Sequence, residues 1–341
     1  MMHNRLLLGV ISSVAINFCI AGETYQQEPT SEQNPIILFL HPFRLSGSYI
    51  EKYQLLLPQD LVELSPDGPD ALDTATIKMA NKRIDEAPNW FKKKVSEFQK
   101  SQILSTAASR SSLAQDGDIY TVLSHLHEHD LTHHHKIIIG DSKGASLAIN
   151  LLGSGLLEYI DGIVAISPFY HTTLAMQDFN GIPHHWFINK YLMPFAYRWY
   201  LPHVTPNGIQ PCTSVKNIAQ HASNTPILIV AIMNDTLVPA YQQLALYIRL
   251  KELGCHVYIL IVDDADHANI GKCAAISTIA PVILSFWRDA CGVPPRHFSS
   301  NVPSIIQNPC YTPSIDSIRL LMYTKFQISP EELDRELQLG S

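Results

Sequence analysis

Residues 135–144 read His-Lys-Ile-Ile-Ile-Gly-Asp-Ser-Lys-Gly, three isoleucines that run straight into a Gly-x-Ser-x-Gly pentapeptide. A continuous β-branched run with no polar alternation fits a strand covered on both faces, the kind found in parallel sheets. The residues that follow, Gly144 to Leu152, are apolar at helical spacing with the smallest side chains first, which suits a helix packed closely on a sheet. The pattern therefore predicts a strand, a sharp turn at Ser142 and a helix. A serine at such a corner has two readings. It caps the helix, or the corner aims its hydroxyl outward as a nucleophile. The second use demands more of the chain, because a serine hydroxyl is inert without a base to take its proton and donors to receive the developing oxyanion.

The rest of the chain repeats the strand-helix alternation. Further apolar runs lie at 36–40, 61–64, 162–166, 226–232 and 257–262, and helical spacing is found near 49–57, 74–105, 118–129 and 242–253, the last stopped by Gly254. Alternation of this kind predicts an α/β fold with a mostly parallel central sheet and helices on both faces. Sites in such folds form at the carboxyl ends of the strands. Three polar segments leave strands there: His41-Pro42-Phe43 after the 36–40 run, Met233-Asn234-Asp235 after the 226–232 run, and Asp263-Asp264-Ala265-Asp266-His267 after the 257–262 run.

With the pentapeptide and these three turns, residues 35–293 resemble the α/β-hydrolase superfamily of serine esterases and lipases, in which nucleophile, acid and histidine follow one another along the chain. The resemblance implies Ser142 as nucleophile, Asp235 as acid and His267 as general base. Asp263, Asp264 and Asp266 compete for the acid role, although carboxylates crowded beside a turn commonly serve to solvate or set it. It also implies an oxyanion hole. One donor is the Lys143 backbone N–H at the start of the helix. The other comes from the turn after the first strand, where many members carry His-Gly. This chain has His41-Pro42, and proline has no N–H, so the donor falls to Phe43. The implied chemistry is hydrolysis of a carboxylic ester or related acyl bond through an acyl-serine, with no metal and no organic cofactor. Residues 234–254 resemble the matching part of dienelactone-hydrolase-like and prolyl-oligopeptidase-like members, which keeps a serine peptidase as an alternative. A non-catalytic binding protein that retains the hydrolase fold is a third reading.

Composition supports one large core: 341 residues, 46% hydrophobic and 16% charged. A net charge of -7 with no long Lys/Arg run argues against a nucleic-acid partner. His125, His127, His129 and His133 to His135 match no ligand spacing and read as a solvated surface rather than a metal site. Residues 1–22, with Arg5, an apolar stretch and then Ala21-Gly22, have the layout of a secretory signal peptide, which implies an exported protein; an uncleaved membrane anchor is the alternative. Beyond the leader there are five cysteines, an odd number in an oxidising compartment, with Cys291 and Cys310 as a candidate staple and Cys255 and Cys273 as buried thiols.

Two segments exceed the basic plan. Residues 170–215 form an insertion whose centre, 186–201, is dense in aromatics and poor in charge. In the family such an insertion is commonly a cap. Here that implies a pocket wall for a small-molecule or lipid-like acyl substrate, with contact to a membrane or lipid surface through the cap, while ordinary core packing is the plainer reading. Residues 294–341 are read as a C-terminal arm, with helical spacing over 315–323 and an acidic end.

Overall fold

A computed structural model of the chain describes residues 34–42, 47–67, 116–180, 191, 211–267, 270, 276–298 and 311–333, together with isolated residues between 82 and 96. The expected leader, the centre of the insertion, most of the 74–105 region, Phe43, Cys273 and Cys310 lie outside the described residues. The strands are β1 (Ile36–Leu40), β2 (Glu63–Leu64), β3 (Lys136–Asp141), β4 (Ile160–Ile166), β5 (Ile227–Ile232) and β6 (Val257–Val262). They form one six-stranded sheet in the order β2-β1-β3-β4-β5-β6, and every neighbouring pair is parallel. This is the doubly wound α/β sheet that the alternation predicts.

The pleat divides each strand between two cores. Leu38 and Leu40 of β1, Ile138 of β3, Ile229 of β5 and Ile259 of β6 face one side, where they meet the helices α1 (Asp116–Glu128), α2 (Lys143–Ser154), α4 (Pro211–His221) and α5 (Ala240–Glu252). Phe39, Ile137, Ile139, Val230 and Val262 face the other, against residues 47–56 and α6 (Ile276–Asp289). Between α2 and α4, the helix α3 (Thr172–Asn180) opens the insertion. Burial on both faces explains why the strands read as unbroken apolar runs.

Residues 47–57 differ in detail from the expected α-helix. The segment Gly47–Leu56 is a 3-10 helix. Its buried side chains are Ile50, Tyr53 and Leu56, and a spacing of three lines up on one face of a helix with three residues per turn. Trp287 of α6 donates from its indole Nε1 to the Leu56 carbonyl at 3.0 Å, which closes this layer.

The C-terminal segment packs against the body. In α7 (Ile315–Phe326), Ile318 and Met322 enter the core beside α5, Tyr247 donates its hydroxyl to the Pro313 carbonyl at 2.8 Å, and Arg319 pairs with Glu252. The cysteine staple does not form. Cys255 and Cys291 are free thiols, and the Cys291 sulfur occupies the space over Gly162 of β4, 2.1 Å from where a Cβ there would stand. Among the described residues no helix is long and apolar enough to cross a membrane.

Candidate active site

The turn between β3 and α2 holds Ser142 at φ 55° and ψ -115°, a left-handed conformation that a side-chain-bearing residue adopts only under strain. Its backbone N–H donates to the Ile166 carbonyl of β4 at 2.8 Å, so the turn is fastened to the neighbouring strand. The flanking glycines meet a steric demand. A Cβ on Gly140 would stand 2.4 Å from the Gly144 carbonyl oxygen, and one on Gly144 would stand 2.0 Å from the Leu40 carbonyl oxygen. The helix start is thus pressed onto β1 and β3 at a distance no other residue permits. Ser142 makes no capping hydrogen bond to the helix. Its hydroxyl points elsewhere.

That direction is His267. Ser142 Oγ lies 2.8 Å from His267 Nε2, and His267 Nδ1 lies 2.7 Å from Asp235 Oδ2. A carboxylate only accepts, so Nδ1 carries the proton and donates to Asp235, leaving Nε2 to accept from the serine hydroxyl. The Asp235 carboxylate is fully buried. Its second oxygen, Oδ1, accepts from the backbone N–H groups of Leu237 and Val238, both at 2.9 Å, which sets the turn and orients the group. Asp263, Asp264 and Asp266 are exposed. Of the four acid candidates named from the sequence, the structure brings Asp235 to the imidazole.

Burial disfavours the His267 imidazolium, but the hydrogen bond and charge of Asp235, together with the charge of Asp141, outweigh it and hold the pKa above the ordinary histidine value. Asp141 is the residue before Ser142. Its side chain is buried, Oδ2 accepts from the Tyr53 hydroxyl, and Oδ1 has no hydrogen-bond partner. Burial, set against the charge of His267 and the Tyr53 hydrogen bond, pushes this carboxyl up to about 6.

Lys143, which follows the serine, opens α2, so its backbone N–H lies in the first turn, where the helix itself offers no acceptor. Its side chain turns away into the core and forms a buried ion pair with Asp118 of α1 at 3.0 Å. Phe43 lies outside the described residues. Its neighbour His41 is buried and lies with Nδ1 2.8 Å from the Pro42 carbonyl.

Sequence reasoning names Ser142, Asp235 and His267, but not the residues that support them. Gln243 donates to the Val238 carbonyl at 2.8 Å and accepts from the Ile232 N–H at 3.1 Å, bracketing the Asp235 turn from within α5. Tyr53 and the pairing of the Lys143 side chain with Asp118 were equally silent. The only sequence signal was polarity on surfaces otherwise apolar: a tyrosine among the buried residues of the 3-10 segment and a lysine at a helix start. Of the histidines of residues 125–135, His125 lies against the ring of His129 at 4.6 Å and His135 pairs with Asp161 at 2.7 Å.

Residues 114–292 match the family described as the prolyl oligopeptidase family, a span that contains Ser142, Asp235 and His267. None of the curated proteins matches the sequence. Similar solved structures include the Pyrococcus furiosus esterase Pf2001, 16% identical over 76% of this chain and 85% of its own, with a TM-score of 0.47. An acylaminoacyl peptidase from Pyrococcus horikoshii is 13% identical over 76% of this chain and 37% of its own, with a TM-score of 0.42. MGS-M2, an alpha/beta hydrolase enzyme from a Medee basin deep-sea metagenome library, is 15% identical over 76% and 90%, with a TM-score of 0.44.

Proposed function

The chain belongs to the prolyl oligopeptidase family, and from that premise we propose that it is a serine hydrolase that cleaves a carboxylic ester through an acyl-Ser142 intermediate. One observation carries the proposal: a single imidazole, that of His267, spans Ser142 Oγ at 2.8 Å and a buried carboxylate of Asp235 at 2.7 Å. In the acylation step Ser142 Oγ bonds to the substrate carbonyl carbon while its proton passes to His267 Nε2, and the carbonyl electron pair moves onto oxygen. The Lys143 N–H receives that charge, with Phe43 as the second donor. Collapse of the intermediate expels the alcohol, which takes the proton from His267. Water then repeats the sequence and releases the acid. Asp235 keeps the ring in the donating tautomer and offsets the imidazolium charge without taking the proton.

The aromatic, charge-poor sequence of residues 186–201 supports an apolar acyl group, and with it an ester. Membership of a family named for an oligopeptidase favours a second reading, a serine peptidase acting by the same steps. The sequence of residues 1–22 supports an exported protein.

The test is labelling of the purified protein with a fluorophosphonate, wild type against Ser142→Ala, followed by p-nitrophenyl acyl esters and aminoacyl p-nitroanilides. Labelling of the wild type alone, with turnover of the esters, is the expected result. Turnover of the anilides in preference would move the assignment to a peptidase. A folded wild-type protein that never labels would overturn both and leave a binding protein built on the hydrolase fold.

A further inference from the structure

We propose that Asp141 is a positioning residue of this site: the charge of its buried carboxylate, anchored by Tyr53, supports the imidazolium that forms on His267 when Ser142 gives up its proton. The inference rests on the acyl-serine reading and assigns a second carboxylate to it.

Asp141 is the last residue of β3, directly before the nucleophile, and its side chain is closed off from solvent. A carboxylate there is costly. One oxygen is satisfied by the Tyr53 hydroxyl and the other has no hydrogen-bond partner, whereas buried polar groups are ordinarily paired. Every other side chain of β3 from Ile137 to Ile139 is apolar, so folding alone does not call for a carboxyl at this place.

Asp141 adjoins Ser142, whose Oγ lies 2.8 Å from His267 Nε2, and the titratable and charged groups that act on its carboxyl come from three elements. Tyr53 and Lys52 belong to the 3-10 segment, His267 to the turn after β6, and Asp235 to the turn after β5. Burial and Asp235 oppose ionisation of Asp141; His267, Tyr53 and Lys52 favour it. The influence is mutual, since the charge of Asp141 is one of the causes that raise His267. Two carboxylates therefore act on one imidazole in different ways. Asp235 touches Nδ1, fixing tautomer and orientation. Asp141 holds its own hydrogen bond with Tyr53 and acts on the ring through space. Protonation of Asp141 in mildly acid solution removes that support, so the site loses its base over a pH range set by both groups rather than by His267 alone.

The experiment follows the His267 imidazole by nitrogen-15 NMR across pH in wild type, Asp141→Asn and Tyr53→Phe, alongside the rate of fluorophosphonate labelling. Asp141→Asn keeps an acceptor for Tyr53 and removes only the charge. It should lower the His267 midpoint, move the acid limb of the labelling rate to lower pH, and slow labelling at neutral pH roughly three- to tenfold, the scale of a neighbouring charge on an ionisation. Tyr53→Phe breaks the bond and keeps the charge, so its midpoint should lie above that of Asp141→Asn. In wild type the His267 resonance should show a second inflection where Asp141 titrates, which tests the coupling even where a variant fails to fold. An unchanged midpoint in Asp141→Asn, or a wild-type titration with one inflection, would overturn the proposal. A wild-type protein that never labels overturns the acyl-serine reading instead, and the NMR midpoints separate the two failures.

Discussion

Asn234 donates from Nδ2 to the carbonyl oxygen of Asp263 at 2.7 Å, joining the turn that carries Asp235 to the turn that carries His267. Beneath it, the Met233 N–H donates to the Val262 carbonyl at 2.8 Å, and Gln243 brackets the Asp235 turn from the helix side. Acid and base thus sit on one cross-linked unit, which keeps the 2.7 Å contact between them in register with the serine.

Asn234→Ala should loosen that unit without unfolding the protein. The side chain is exposed and the lost hydrogen bond is worth about 1 kcal/mol, while a small misplacement of the acid relative to the base should lower kcat by roughly tenfold at little change in KM. Gln243→Ala is the contrasting case. It strands a buried N–H and a buried carbonyl, and urea unfolding should show a loss of about 3 kcal/mol.

The pH dependence of turnover follows from His267. In the proposed mechanism His267 must be neutral to accept the serine proton, and the net effect of Asp235 and Asp141 over burial is to raise its pKa. Activity should therefore fall as pH drops through a midpoint above the ordinary histidine value of 6.5. A kcat/KM profile on one p-nitrophenyl ester measures it, and a midpoint below the ordinary value would contradict the electrostatics of the site.

Gly144→Ala should be among the most damaging small substitutions in the chain. The added Cβ meets the Leu40 carbonyl oxygen at 2.0 Å, and backbone has no way to step aside. A stability loss of about 2–4 kcal/mol in urea is expected, with slowed fluorophosphonate labelling because Ser142 moves with the helix start. Gly155→Ala provides the control: nothing lies within 4 Å of its added Cβ, and only the φ of 66° is unfavourable, so the cost should be about 1 kcal/mol.

The Lys143–Asp118 pair makes a separate prediction. Both side chains are almost wholly buried, so Lys143→Met removes the cation beside a buried carboxylate and should cost about 3–5 kcal/mol. The double variant with Asp118→Leu should recover most of that loss. Its fluorophosphonate labelling should stay near wild type, because the proposed oxyanion donor is the Lys143 backbone N–H rather than its side chain.

Much of the fold was legible locally. The apolar runs at 36–40, 137–139, 226–232 and 257–262 became strands within a residue or two of their predicted limits, because burial on both faces leaves no choice of side-chain type. The 3-10 geometry of Gly47–Leu56 was not legible, since Ile50, Tyr53 and Leu56 at intervals of three read equally as one face of an α-helix until packing against α6 selects the tighter turn. The free thiol of Cys291 was likewise a matter of what lies across from it, here Gly162 of β4.

By itself the sequence determined which side chains leave the strand ends: a serine between two glycines, an aspartate after β5 and a histidine after β6. Those follow from strand periodicity and turn chemistry, both short-range properties. Tertiary structure alone decided how they meet. Asp235 rather than Asp263, Asp264 or Asp266 receives His267 because parallel β5 and β6 deliver the two turns side by side, while the three competitors point to solvent. The burial of Asp141 against Tyr53 was decided the same way, by a contact between residues 88 positions apart in the chain. Contacts of that range depend on the pairing order of the sheet, which no local pattern encodes.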